Sequence, residues 1–137
     1  MGDDGVGVHV INLLKKEKLP EYVEVVDGGT NGLNLLNFIE GKDIVIIIDS
    51  IDLKKTPGEI IILKNEEIKK YFRLKCSVHD IGLVDLLDTA TLLNILPKSI
   101  ILVGVQPDKI SLQTELSETV RKSVPKIIDN IKKIINA

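Results

Sequence analysis

Asp43-Ile44-Val45-Ile46-Ile47-Ile48-Asp49 decides the fold. An unbroken β-branched run, bounded by carboxylates, has no polar face to turn to water. It predicts a strand over 43–49 buried on both faces, hence a central strand with helices on each side. Ser99 to Val105 reads as a second buried strand, ended by Gln106-Pro107-Asp108. Helical periodicity surrounds them. Val6, Val10, Leu13 and Leu14 make one stripe of an amphipathic helix over about 5–17, which Pro20 bars from continuing. Tyr22 to Val26 is a short β-prone run, and Leu33 to Glu40 a short helix closed by Gly41. Thr56-Pro57-Gly58 marks a turn before a strand at 59–63, and Asn65 can cap a helix over about 66–72. Gly82 to Asn94 carries Leu83, Leu86, Leu87, Ala90 and Leu93 on one stripe. Ser117 caps a last helix with Val120, Val124, Ile127, Ile128, Ile131, Ile134 and Ile135 on its face. Pro125 lies inside it and should kink or split it. Strands separated by helices predict one α/β domain over 1–137, a three-layer α/β/α arrangement around a mostly parallel sheet.

Composition narrows the function. The chain has 137 residues, 44% apolar and 28% charged, which suits a packed single domain. Eighteen basic against 20 acidic residues give a net charge of −2, and aromatics are 3%. Neither a basic footprint nor a stacking platform is present, so nucleic acid is not the expected partner. Cys76 is the one cysteine, which excludes an internal disulfide and a cysteine-only zinc site. The opening Met1-Gly2-Asp3-Asp4 is acidic where a signal peptide is basic, and no apolar run is long enough to span a membrane. These features read as a cytoplasmic protein with no membrane partner.

In α/β sheets, ligands sit beyond the carboxyl ends of the strands. Asp49 closes the buried strand there, either as a functional carboxylate or as a solvated turn residue. Asp3 and Asp4 precede the first helix, where acids also complement the helix dipole. Gly5 and Gly7 among Val6 and Val8 indicate close backbone approach. His79 lies just before the helix at 82–94, as a ligand or as a surface residue near its cap. Cys76 with His79 spells Cys-x-x-His, half a metal site or a nucleophile pair, though a lone cysteine more commonly fills a small pocket. His9 reads as a helix-face residue. Asp27-Gly28-Gly29-Thr30 is either a tight turn or bare backbone facing a ligand, and it lacks the spacing of a phosphate loop. Two carboxylates and an imidazole suit nickel or zinc, and three protein ligands leave coordination positions open.

Asp3-Asp4-Gly5-Val6-Gly7-Val8, Asp27-Gly28-Gly29-Thr30, the strand ending at Asp49, His79 ahead of Gly82-Leu83, and Leu102-Val103-Gly104-Val105-Gln106-Pro107 together resemble the [NiFe]-hydrogenase maturation endopeptidases. The resemblance implies an enzyme that removes the C-terminal extension of a hydrogenase large-subunit precursor once nickel is inserted. It assigns Asp4, Asp49 and His79 to contact with the nickel of the substrate and adds Asp27 as a second acid/base group. No organic cofactor is implied. It also implies a mixed sheet in which the strand at 59–63 runs antiparallel. The family's usual first strand and its Gly-Asn-x-Leu loop precede the acidic pair, and this sequence opens where that loop should end. The strand expected between 22–26 and 43–49 is thus missing from it. Either the natural start lies upstream, or rearrangement, strand exchange or a homo-oligomer fills the gap.

Two other readings fit parts of the pattern. A phosphoacceptor receiver domain has an acidic pair and an acceptor Asp at the place of Asp49, but needs an all-parallel sheet and a Lys where Gln106 precedes Pro107. A non-enzymatic nickel- or zinc-binding protein needs only the ligands. The cysteine separates mechanisms: Cys76→Ser should leave precursor processing nearly intact. Processing that stops on thiol alkylation would revive the Cys-His pair.

Overall fold

The computed structural model describes residues 5–26, 35–74, 78–108 and 115–136, with side chains given except at 72–74 and 78–82. The elements are α1 (Val6–Lys15), α2 (Leu36–Ile39), β1 (Ile44–Ser50), β2 (Ile60–Lys64), α3 (Glu66–Leu74), α4 (Val78–Leu92), β3 (Ser99–Val105) and α5 (Glu118–Ile135). The strands form one sheet in the order β1-β3-β2. Ser99 N donates to Asp43 O at 3.0 Å and Ile51 N to Val105 O at 2.9 Å, so β1 and β3 ascend together and are parallel. Gly58 N donates to Gln106 O and Asn65 N to Ile100 O, so β2 descends as β3 ascends. The sheet is mixed, with β2 antiparallel as expected, and an all-parallel receiver sheet is excluded.

The buried central strand is β3 rather than β1. All of β3 beyond Ser99 is buried, whereas β1 is half-buried, with Ile44 51% exposed. The two runs are alike in composition, but β3 has a strand on both edges and β1 has one neighbour among the described strands. Tyr22 to Val26 forms no strand. Its β-prone residues have no described strand beside them, and propensity without a ladder does not hold an extended backbone.

The chain divides into two compact units. The first comprises residues 1–25, 46–62 and 102–137. Here α1 packs on α5, burying Val6, Val10 and Leu14 of one and Val120, Val124, Ile127 and Ile131 of the other. Ser117 caps α5 as predicted, its hydroxyl accepting from Val120 N at 3.3 Å. Pro125 does not split α5, which runs unbroken to Ile135. Pro125 is exposed, and the buried stripe continues on both sides of it, so one missing amide donor is outweighed. Gly58, at φ +88°, completes the turn before β2 and accepts a hydrogen bond from Ser123 Oγ at its carbonyl. Gly7 explains the small residues at the start of α1. A Cβ there would lie 2.5 Å from Ile48 O, so the helix rests directly on the β1 backbone beside Asp49.

The second unit comprises residues 26–45 and 63–101. Its core joins Ile39, Leu86 and Ala90, with Leu35, Leu36, Val45, Leu83 and Ile95 packed against them. The short α2 ends before Gly41 at φ +78°, as the sequence indicates. Asn65 does not spend its side chain on α3. Its Oδ1 accepts from Ile100 N at 2.9 Å, tying the turn to β3, while Glu67 reaches back to Lys64 N at 3.1 Å. A strand amide left without acceptor is costlier than an uncapped exposed helix end. Helix α4 starts at Val78, four residues before the predicted start, and closes with Asn94 at φ +59°. Ile95 N donates to Ala90 O and Asn94 N to Thr91 O, a Schellman closure. That closure removes Leu93 from the buried stripe, leaving it 59% exposed.

The contact at Gly7 predicts that Gly7→Ala separates α1 from β1. The overpacking should cost about 1–3 kcal/mol in urea unfolding despite the gain in helix propensity.

Candidate functional site at the carboxyl ends of the parallel strands

Strands β1 and β3 end side by side, and their last rung is Ile51 N to Val105 O. Asp49 stands two residues before that rung, half-buried within β1 rather than at its final position. Its Oδ1 accepts from Ser50 N at 2.8 Å. The carboxylate is thus oriented by the amide that follows it, before any ligand is considered. A charge-assisted bond of this kind holds a side-chain rotamer more firmly than a neutral one.

Beyond the rung, Asp52 and Gln106 face each other. Gln106 Nε2 donates to Asp52 Oδ1 at 3.0 Å, and Lys54 N donates to the same oxygen at 3.0 Å. Gln106 Oε1 accepts from Leu53 N at 2.8 Å and Lys55 N at 3.1 Å. Lys54 between them has φ +57°, a conformation that a non-glycine residue adopts at a cost of about 1–2 kcal/mol. The hydrogen bonds on both sides of Lys54 offset that cost. The sequence shows Gln106 only as part of a turn and gives Asp52 no role. The available signal was an uncharged polar residue ending a fully apolar strand, where only a satisfied side chain is tolerated.

His79 is the second residue of α4, inside the helix rather than before it. Its backbone is placed by the first turn, and its side chain lies outside the described residues, as do Asp4, Cys76 and Asp27-Gly28-Gly29-Thr30. His9 is exposed on α1, as a helix-face residue should be. Among the described residues, no three His, Cys, Asp or Glu side chains are grouped as metal ligands. The structure therefore fixes Asp49 and joins it through the chain to Asp52 and Gln106.

The family model for hydrogenase maturation proteases matches residues 8–134. The chain belongs to the hydrogenase maturation protease family. It is 36% identical over 131 residues to the hydrogenase 2 maturation protease of Escherichia coli strain K12, covering 94% of this chain and 80% of that one. Among solved structures, the hydrogenase maturating endopeptidase HybD from E. coli superposes with a TM-score of 0.91 at 33% identity, covering 99% of this chain and 85% of that one. The [NiFe] hydrogenase maturation protease HybD from Thermococcus kodakarensis gives 0.78 at 29% identity, covering 98% and 91%. The chain spans 80% of one curated relative and 51% of another. Its α/β fold with a mixed sheet is that of the maturation proteases. No described helix is long and apolar enough to cross a membrane.

The doubly used Asp52 oxygen gives a stability prediction. Asp52→Ala leaves Gln106 Nε2 and Lys54 N without that acceptor and should lower unfolding free energy by about 1–3 kcal/mol. Asp52→Asn, which keeps an acceptor, should cost less in the same urea titration.

Proposed function

We propose that this chain, working as one domain in the cytoplasm, is an endopeptidase that removes the C-terminal extension of a [NiFe]-hydrogenase large-subunit precursor after nickel insertion. One observation carries the reading: the match to the maturation protease family runs through residues 8–134, and within it Asp49 is held at the carboxyl end of a parallel strand. That edge is where α/β sheets take their ligands.

Asp4, Asp49 and His79 recognise the nickel carried by the substrate. Carboxylate and imidazole are donors suited to a borderline divalent ion, and a nickel already held by substrate groups needs only part of its shell from the enzyme. Recognition by metal makes cleavage conditional, because a precursor without nickel lacks the contact that docks its scissile bond. The nickel supplies Lewis acidity toward a peptide carbonyl or a water molecule. Asp49 contributes an oriented carboxylate, since Ser50 N already occupies its Oδ1. Asp27 is the second acid/base group, with a carboxylate that can exchange a proton with the reacting peptide.

A gel-shift assay with purified precursor tests this. The wild type should cleave nickel-loaded precursor and leave nickel-free precursor intact. His79→Ala and Asp49→Ala should each lower the cleavage rate by at least about 100-fold, with His79→Ala retaining its circular dichroism spectrum. Equal cleavage of both precursors would end the nickel reading, and full activity in His79→Ala would remove that residue from the site.

A further inference from the structure

Gln106 is 3% exposed, and its side chain is committed at both ends. Oε1 accepts from Leu53 N and Lys55 N, and Nε2 donates to Asp52 Oδ1 at 3.0 Å and Pro107 O at 3.4 Å. Its main chain is equally occupied. Gln106 N donates to Glu59 O at 2.9 Å and Gln106 O accepts from Gly58 N at 2.8 Å. One residue thus joins the end of β3, the approach to β2 and the segment that leaves β1. An apolar side chain of the same volume would fill this space but leave Leu53 N and Lys55 N without this acceptor. What the amide adds is direction for residues 52–55.

That direction reaches Asp49. Asp49 Oδ1 is oriented by Ser50 N, and the Ser50–Ile51 segment is set by the rung from Ile51 N to Val105 O. The rung is the last between β1 and β3, and the Gln106 contacts begin immediately beyond it. With Lys54 held at φ +57°, residues 52–55 have a higher-energy backbone that relaxes when the contacts are lost. Residue 52 follows directly on the Ser50–Ile51 segment, whose first amide bonds the Asp49 carboxylate.

We propose that Gln106 is a positioning residue for Asp49: by clamping residues 52–55 it holds the Asp49 carboxylate in the orientation that precursor cleavage uses. The inference rests on the proposed function. It concerns how the carboxylate is held, whereas the proposed function concerns what is cut.

The test uses the full chain, nickel-loaded precursor, steady-state kinetics and amide hydrogen exchange. Gln106→Leu keeps the volume and removes every side-chain contact. Gln106→Glu keeps acceptors for Leu53 N and Lys55 N but faces Asp52 with a like charge. Both single variants should lower kcat by about 10- to 100-fold with KM within about twofold of wild type. Gln106→Leu should also quicken exchange at Leu53 and Lys55. A folded Gln106→Leu with quickened exchange and unchanged kcat would show a purely structural clamp and overturn the proposal. A loss carried entirely by KM would overturn it equally. A wild type that does not cut the precursor sinks the proposed function and this inference with it, which separates that failure from the others.

Discussion

Strand β3 is hydrogen-bonded along both edges, and the rest of the molecule depends on that double pairing. A strand so placed has its backbone donors and acceptors met by β1 on one side and β2 on the other. It can therefore be buried almost throughout without stranding polar groups. Ile100 and Ile101 are buried in the second unit and Leu102, Val103 and Val105 in the first, while the ladder bonds hold register. Register matters because a slip of one residue would exchange the two faces of the sheet. It would also carry Gln106 away from Leu53, Lys55 and Asp52.

The site grows from where this pairing stops. Past the last rung between β1 and β3, the ladder can no longer satisfy the backbone, and side chains take over. Gln106 accepts the amides of Leu53 and Lys55, and Asp52 accepts that of Lys54. The same economy appears at the opposite end of β3, where Asn65 Oδ1 accepts from Ile100 N. Polar side chains at both ends of the central strand, buried Gln106 at one and exposed Asn65 at the other, extend the hydrogen-bonding pattern of the sheet into its loops.

The Asp49 carboxylate is oriented by the Ser50 amide before any substrate docks. A group ordered in advance adds no ordering cost to a binding step. The mixed sheet contributes as well. Parallel β1 and β3 bring their carboxyl ends to one edge, while antiparallel β2 returns from the turn at Gly58, which Ser123 of α5 holds.

Much of this was legible in residues. The β-branched run at 44–48, the apolar run at 100–105, the Ser117 cap, the closure at Gly41 and the α/β class follow from local chemistry: side-chain shape, missing donors and periodicity act over a few neighbours. The resemblance carried by Asp4, Asp27, Asp49 and His79 named the family for the same reason, since motifs are local patterns. Which of two similar apolar runs is central was decided only by tertiary pairing, because burial of a strand depends on how many strands flank it. Tyr22 to Val26 formed no strand because no described strand lies beside them, whereas Asn65 turned from α3 to β3 and α5 ran through Pro125 because contacts distant in sequence outweighed the local preference. Gln106 shows the limit most clearly. Its sequence neighbours mark only a turn, and its role rests on amides more than fifty residues away that folding brings to its side chain.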